Sequence, residues 1–396
     1  MRIGIILLIL GLCSCKKRPR PTFPIIHLNI ALDSIPDEGK SGCVALLSDQ
    51  KEDVRIKTGI EYRGSASRKF PKRSFSLHIR NKGNAIPEWQ GLSLQGDWVL
   101  YAPYADRTCL RNRLAQELFH QLGHYSPKSI FTELTIDTNY LGLYEWREKI
   151  SLTTGRVPEA PCLLKFDKAT AKRSKQEKSI LNPLVSIRFH DSQAGYPVDS
   201  AFRAVSRFEN ALLQKNNEWE KYADKNSFVD FFLFTELANS PDAYRSSCYF
   251  QILPDGRLRM GPVWDFDLAF GNSTLFRAEE TSDWRFRFNE ADSFKNLAAP
   301  PWWSNLYARA DFRQALIVRW KSLRSSSLSD SVISKQIDKL VAEIEPVVEK
   351  NHAKWQVMQR TILWTVPAQK NYNEEIHKLK SWISQRAHWI ENELRN

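Results

Sequence analysis

The sequence predicts an α+β protein with a β-rich N-terminal lobe and a helical C-terminal region, on three observations. Between Ile25 and about Arg80 the segments IIHLNIALD, CVALL, VRIKTGIEYRG and RSFSLHIR alternate apolar and polar residues between turn-forming clusters, the period of half-buried strands. From Pro300 onward the period lengthens: Val332, Ile333, Ile337, Leu340, Val341 and Ile344, then Ile376, Leu379, Trp382, Ile383, Trp389 and Ile390, recur at helical spacing. Between these regions SSCYFQILPDGRLRMGPVWDFDLAFGN reads as two short strands around the turn Pro254-Asp255-Gly256, followed by an acidic stretch. A chain of 396 residues has room for two or three such units. They divide as a β-rich lobe at 25–155, a second lobe at 156–299 that carries the acidic hairpin, and a helical region at 300–396.

The first residues belong to none of these units. MRIGIILLILGLCSCKK sets Arg2 before an apolar run from Ile3 to Leu12, too short to span a bilayer as a permanent helix but suited to a signal peptide. Leu12-Cys13-Ser14-Cys15 is similar to a bacterial lipobox, so residues 1–15 read as a lipoprotein signal with Cys15 as the lipidated residue. Residues 16–24 (KKRPRPTFP) then form a basic, Pro-rich tether. The implied location is the outer side of a bacterial membrane. Cys43, Cys109, Cys162 and Cys248 are scattered singly, which argues against a structural zinc site and is compatible with one or two disulfides in an oxidising compartment. A net charge of +12 favours anionic partners. The basic stretch Lys168–Lys178 lacks interleaved aromatics and reads as a solvated loop, so no nucleic-acid partner is expected.

Further elements follow in order. Arg107 to Leu122 places Leu110, Leu114, Leu118, Phe119 and Leu122 on one helical face, with Gly123 as the stop. IFTELTID and YLGLYEWREKI form an antiparallel hairpin around Thr138-Asn139, and Phe202 to Leu237 is mostly helical. Pro346 should kink or end the helix around it. His120 and His124 are spaced for metal, but Gly123 intervenes. The thirteen Trp residues read as core rather than as a sugar-stacking surface.

The chemistry concentrates in three carboxylates. Kinase-type phosphoryl transfer uses one Asp to orient the acceptor hydroxyl and a second to hold the metal that bridges the nucleotide phosphates, in the order catalytic Asp, hairpin, metal-binding Asp. Asp242, the hairpin and Asp265-Phe266-Asp267 follow that order. Strand alternation would direct Asp265 and Asp267 to one face, where carboxylates among aromatics need a cation or hydrogen bonds. A solvated turn or a calcium loop is the competing reading of an isolated Asp-x-Asp.

The blocks YRGSASRKFPKRSFSLHI, DWVLYAPYADRTCLRNRLAQEL, LTIDTNYLGLYEWREKI and NSPDAYRSSCYF with GPVWDFDLAFG resemble the CotH kinase family, the spore-coat-protein-H-like proteins, over about residues 25–395. The resemblance implies a divergent two-lobed protein-kinase-like fold. It implies Asp242 as catalytic residue, Asp265 and Asp267 as metal ligands, and ATP with Mg²⁺ or Mn²⁺ as cofactors. The basic RGSASRKFPKR loop would cover the phosphates through Arg63, Lys72 or Arg73. Glu148 matches the family's Glu-Lys pair and would steady a phosphate-binding lysine, and Lys165 is a further phosphate partner or a strand end. The acceptor would be Ser or Thr of an envelope or exported protein. One departure stands out: the metal-binding Asn expected after Asp242 is replaced by Ser247 or Cys248. That loss favours the alternative of a non-catalytic pseudokinase-type envelope scaffold. A glycan-processing enzyme with paired carboxylates is the third class.

Overall fold

The structure, a computed structural model, describes residues 21–80, 87–152, 156–157, 160–167, 175–214, 217–290 and 298–395. The expected signal segment, lipidation at Cys15, residues 16–20 of the tether and residues 168–174 of the basic stretch lie outside the described residues.

The alternating N-terminal segments form strands β1 (Ile25–Asn29), β2 (Ser41–Ser48), β3 (Asp53–Arg63) and β4 (Ser74–Ile79), then the short hairpin β5 (Glu88–Trp89) and β6 (Leu92–Ser93). β7 (Gly96–Tyr101), β8 (Ser129–Ile136) and β9 (Asn139–Glu148) complete the set. Seven of them close a barrel in the order β1-β2-β3-β4-β7-β9-β8, sealed by parallel pairing of β1 with β8. Closure removes the sheet edges, and the alternation decides which residues fill the interior. Ile60, Leu77, Trp98, Leu134, Tyr144 and Trp146 point inward. The turn between β8 and β9 is Asp137-Thr138, with Asp137 left-handed (φ 52°), one residue earlier than the sequence suggests because Asn139 already pairs with Ile136.

The second body holds an antiparallel sheet in the order β11 (Gln176–Lys178), β12 (Ser186–Ser192), β10 (Cys162–Phe166), β13 (Cys248–Ile252) and β14 (Leu258–Met260). Leu164, Phe166, Cys248 and Phe250 on one face enter a helical core, while Leu163 and Tyr249 on the other meet Val99 of the barrel and Trp264. The helices are α1 (Arg111–Gln121), α2 (Val198–Leu213), α3 (Lys225–Ala238), α4 (Trp302–Tyr307), α5 (Ala310–Arg324), α6 (Asp330–Trp355) and α7 (Tyr372–Arg395). α3 is buried along nearly its whole length, so its sequence FVDFFLFTELA lacks a polar stripe. Asp224 caps its start by accepting from Ser227 N–H at 3.4 Å, and Asn239 ends it in the left-handed region.

α1 lies inside 25–155, yet Leu114, Leu118 and Phe119 join the second body's core, which also unites α2 and α3 with the helices beyond residue 300. Pro346 does not end its helix: α6 continues through it to Trp355 because the ring sits on the exposed face, where the freed carbonyl meets water. Cys43, Cys109, Cys162 and Cys248 are free thiols, so no disulfide forms among the described residues. No helix among the described residues is long and apolar enough to cross a membrane.

One buried ion pair ties α3 to α7: Arg386 Nη2 lies 3.1 Å from Glu236 Oε2, both fully buried. Glu236 also accepts from the Arg285 and Phe286 N–H groups and the Tyr244 hydroxyl. Arg386→Met strands this carboxylate, and we expect a loss of about 3–5 kcal/mol in urea unfolding. The double variant Arg386→Met/Glu236→Gln should recover part of that loss.

Candidate functional site

From Met260 the chain leaves the hairpin in extended conformation and turns abruptly at Asp265, whose φ of 72° is left-handed. Asp265 and Asp267 therefore leave a turn, not one face of a strand. Asp tolerates this region better than most residues, and the conformation persists because its surroundings over-determine it. Asn112, in the first turn of α1, accepts from Phe266 N–H at 2.7 Å. Arg111 Nε donates to Ala269 O at 3.1 Å, and Asn272 Nδ2 donates to Asp267 O at 2.7 Å and Ala105 O at 3.0 Å. Arg111 is itself fixed by Asp106, 2.5 Å away and equally buried. Phe266 packs on Phe234 of α3 with ring centroids 5.5 Å apart. Beyond it Gly271 (φ 73°) admits no side chain, since a Cβ would stand 2.5 Å from the Trp382 ring of α7.

Asp242 arrives from the other direction, in the tight turn after α3. Its Oδ1 lies 3.1 Å from Arg245 Nη2. Arg245 also donates to Pro241 O at 2.9 Å and lies against the Phe276 and Phe288 rings, 4.8 and 5.2 Å from their centroids. Asp242 and Asp265 both line one small cleft, with Ser247, Tyr249, Trp264 and Phe266 among its walls. Ser247, left-handed at φ 51°, donates through Oγ to Asp265 Oδ2 at 3.4 Å. This decides between the two candidates for the missing asparagine. Cys248 pairs with Phe166 in the sheet and buries its thiol in the core, where desolvation pushes its pKa up.

Asp267 is pushed up to about 7, first by burial and then by the charge of Asp265, against the opposing influence of Tyr101 and Arg147. Two carboxylates held together with too little positive charge are a setting for a cation. Among the described residues no group of three or more His, Cys, Asp or Glu side chains forms a metal cage. Mg²⁺ is commonly held by only one or two carboxylates, with phosphate and water completing the shell, so Asp265 and Asp267 fit such an ion.

The other expected contacts divide. Arg63, at the end of β3, reaches the site, 5.5 Å from the Trp264 centroid and within the field of Asp265. The turn after it depends on Gly64 (φ 107°), where a Cβ would stand 2.2 Å from Ser67 Oγ. Lys165 lies across from Tyr249 in the sheet, on the face that meets the barrel, and pairs with Asp167 at 2.5 Å. Lys72 turns away: it is buried, donates to Leu143 O and to Asn351 Oδ1 of α6, and desolvation brings it down to about 7. Arg73 is half-buried, beside Asp37 and over the Tyr62 ring. Glu148 accepts from Lys128 N–H at 3.0 Å and faces Arg156 rather than a lysine. The residue of β9 at the site is instead Arg147, 4.0 Å from the Trp264 centroid. Strand alternation contained that signal, because Tyr144 and Trp146 fill the barrel and leave the odd-numbered positions facing the second body. His124 contacts Asp230 at 2.8 Å and stacks on Phe119, so the His120 and His124 side chains form no metal pair.

The model of the family described as CotH kinase protein matches residues 60–390, most of the chain. The chain belongs to the CotH kinase family. As a CotH-family protein it is kinase-like, and the family implies use of ATP and a divalent metal in general terms. Among solved structures the chain is similar to the Helicobacter pylori proinflammatory kinase CtkA, at 7% identity, a TM-score of 0.24, and coverage of 91% of this chain and 97% of that one. No curated protein matches.

Because Asp267 is raised from 3.8 to about 7 in the folded protein, it favours folding below its ordinary value, and that contribution is lost as pH rises through about 7. Thermal melts at about pH 5 and pH 8 should therefore show a drop in wild-type stability that Asp267→Asn reduces. Added Mg²⁺ should restore wild type at the higher pH and leave the variant little changed.

Proposed function

We propose that this protein is a phosphotransferase that moves the γ-phosphoryl group of ATP to a hydroxyl, Ser or Thr of an envelope or exported protein. The observation that carries the proposal is the placement of Asp242 and Asp265 on one cleft with Asp267 beside Asp265. The same proposal takes the barrel as the N-lobe and the second body as the C-lobe of a divergent two-lobed kinase fold.

Asp265 and Asp267 would hold the Mg²⁺ or Mn²⁺ ion, which when bound would offset the negative charge that develops in transfer. Ser247 Oγ steadies Asp265. Asp242, positioned by Arg245, would accept a hydrogen bond from the acceptor hydroxyl and take up its proton as the new oxygen–phosphorus bond forms and the bond from the γ-phosphorus to the departing ADP breaks. Trp264 and Tyr249 form apolar walls that limit water around the transferring group. Cys15 lipidation and export complete the proposal, placing the folded body on a tether outside the membrane.

Asp265→Ala should abolish metal-dependent ATP binding in calorimetry. Asp242→Ala should keep binding and lower transfer of labelled phosphate by about 10²- to 10⁴-fold. Transfer that survives Asp242→Ala unchanged contradicts its role.

Ser247, where kinases place a metal-binding Asn, favours a second reading: a non-catalytic envelope scaffold that retains the fold. Asn tolerates the left-handed backbone found there, so Ser247→Asn should fold normally and tighten Mn²⁺ binding. Metal·ATP binding by wild type without any transfer, and with transfer gained in Ser247→Asn, is the outcome the scaffold reading predicts.

A further inference from the structure

Beside Trp264, two guanidinium groups carry N–H groups that have no acceptor among the described residues. Arg147 is 2% exposed, yet its Nε and Nη1 have no hydrogen-bond partner among the described residues, and neither does Nη1 of Arg63. Buried polar groups are nearly always paired, and a charged donor left without an acceptor is among the costlier exceptions. Trp264 gathers the pair, with its ring centroid 4.0 Å from the Arg147 guanidinium and 5.5 Å from that of Arg63. The same ring lines the Asp242–Asp265 cleft and directly precedes Asp265 in the chain. Both guanidiniums therefore pack against a residue that forms a wall of the cleft. Arg147 also lies 4.8 Å from the Tyr101 ring, whose hydroxyl acts on Asp267.

Their charges are unevenly answered. Burial, and next the charge of Arg147, lowers Arg63 to about 10. Asp265 is the first counter-charge felt by Arg63, and Arg147 is a cation felt by Asp267. Glu145, on the same face of β9, is buried as well, and its Oε1 also lacks a hydrogen-bond partner among the described residues. A divalent ion on Asp265 and Asp267 would offset those two carboxylates and leave the arginines with less counter-charge, Glu61 remaining for Arg63. A polyphosphate on that metal restores the balance, and its oxygens match the forked donors of guanidinium.

We propose that Arg63 and Arg147, gathered by Trp264, form the phosphate-binding subsite of this cleft and receive the anionic oxygens of a nucleoside polyphosphate. Arg147 thereby takes a role that the sequence alone suggested for Lys72 or for a lysine held by Glu148. The nucleoside part of this ligand rests on the phosphotransferase reading, whereas the anion site rests on the arginines themselves.

The test is calorimetry on the full-length chain with Mg²⁺, using ATP, inorganic tripolyphosphate and adenosine as probes. Arg147→Met and Arg63→Met should each bind ATP and tripolyphosphate about 10- to 100-fold more weakly. Adenosine affinity should stay unchanged, a separation that a purely structural role for either arginine does not produce. Arg147→Lys covers the case in which Arg147→Met does not fold: it keeps the charge without the fork and should still lose affinity for tripolyphosphate. Folded variants that bind ATP as wild type does overturn the subsite and leave the phosphotransferase proposal standing. Arginine-dependent binding of tripolyphosphate with no binding of any nucleotide supports the subsite and overturns the nucleotide donor. A wild type that binds neither probe overturns the subsite.

Discussion

The grip of α1 on the turn around Asp265 is the constraint on which the site depends. Asn112 receives Phe266 N–H, Arg111 holds Ala269 O, and the buried Asp106–Arg111 pair fixes both from below. These contacts cross 154 to 158 residues of sequence, so the geometry of the acidic turn is set by a helix that follows the barrel strand β7. Without them, a left-handed aspartate between two bulky aromatics has no reason to persist. Phe266 on α3 and Gly271 under Trp382 carry the same constraint into the helical core.

This grip also explains why α1 belongs to the second body while its neighbours in sequence build the barrel. The helix spans the junction. Its apolar face joins the core of α2 to α7, and its first turn reaches the site that the junction frames. β9 makes the matching contribution from the barrel side, with Trp146 turned into the barrel and Arg147 turned out toward Trp264. The candidate site thus lies where two separately packed cores meet, with Arg63 and Arg147 from the barrel strands and Asp242, Asp265 and Asp267 from the second body.

Elements with strong local periodicity were legible in the sequence. Alternation marked the barrel strands, and helical spacing marked α6 and α7. The turn Pro254-Asp255-Gly256 marked the hairpin, where Asp255 accepts from Arg257 N–H at 2.9 Å and Gly256 takes φ 84°. Barrel closure was not legible, because the pairing of β1 with β8 joins segments about a hundred residues apart with no local signature. At the site, Asp242, Asp265 and Asp267 were legible from their order around the hairpin, but the conformation that unites them was not. Left-handed Asp265 replaces the strand that alternation suggested, and the cause lies in Asn112. Basic residues were the hardest to place. Arg63, Lys72 and Arg73 share one stretch, yet only the first reaches Trp264, since a turn at Gly64 sends Lys72 to α6 and Arg73 to Asp37 and the Tyr62 ring.

The central claim is that Asp265 and Asp267 hold a divalent ion at the cleft that Asp242 also lines. A crystal structure with Mn²⁺ and a non-hydrolysable ATP analogue tests it most directly, because anomalous scattering locates the metal independently of the phases from the protein. The account predicts an anomalous peak in coordination contact with the Asp265 carboxylate, with the γ-phosphate of the analogue between that metal and Asp242. An anomalous peak away from both carboxylates, or a nucleotide bound outside this cleft, would contradict it.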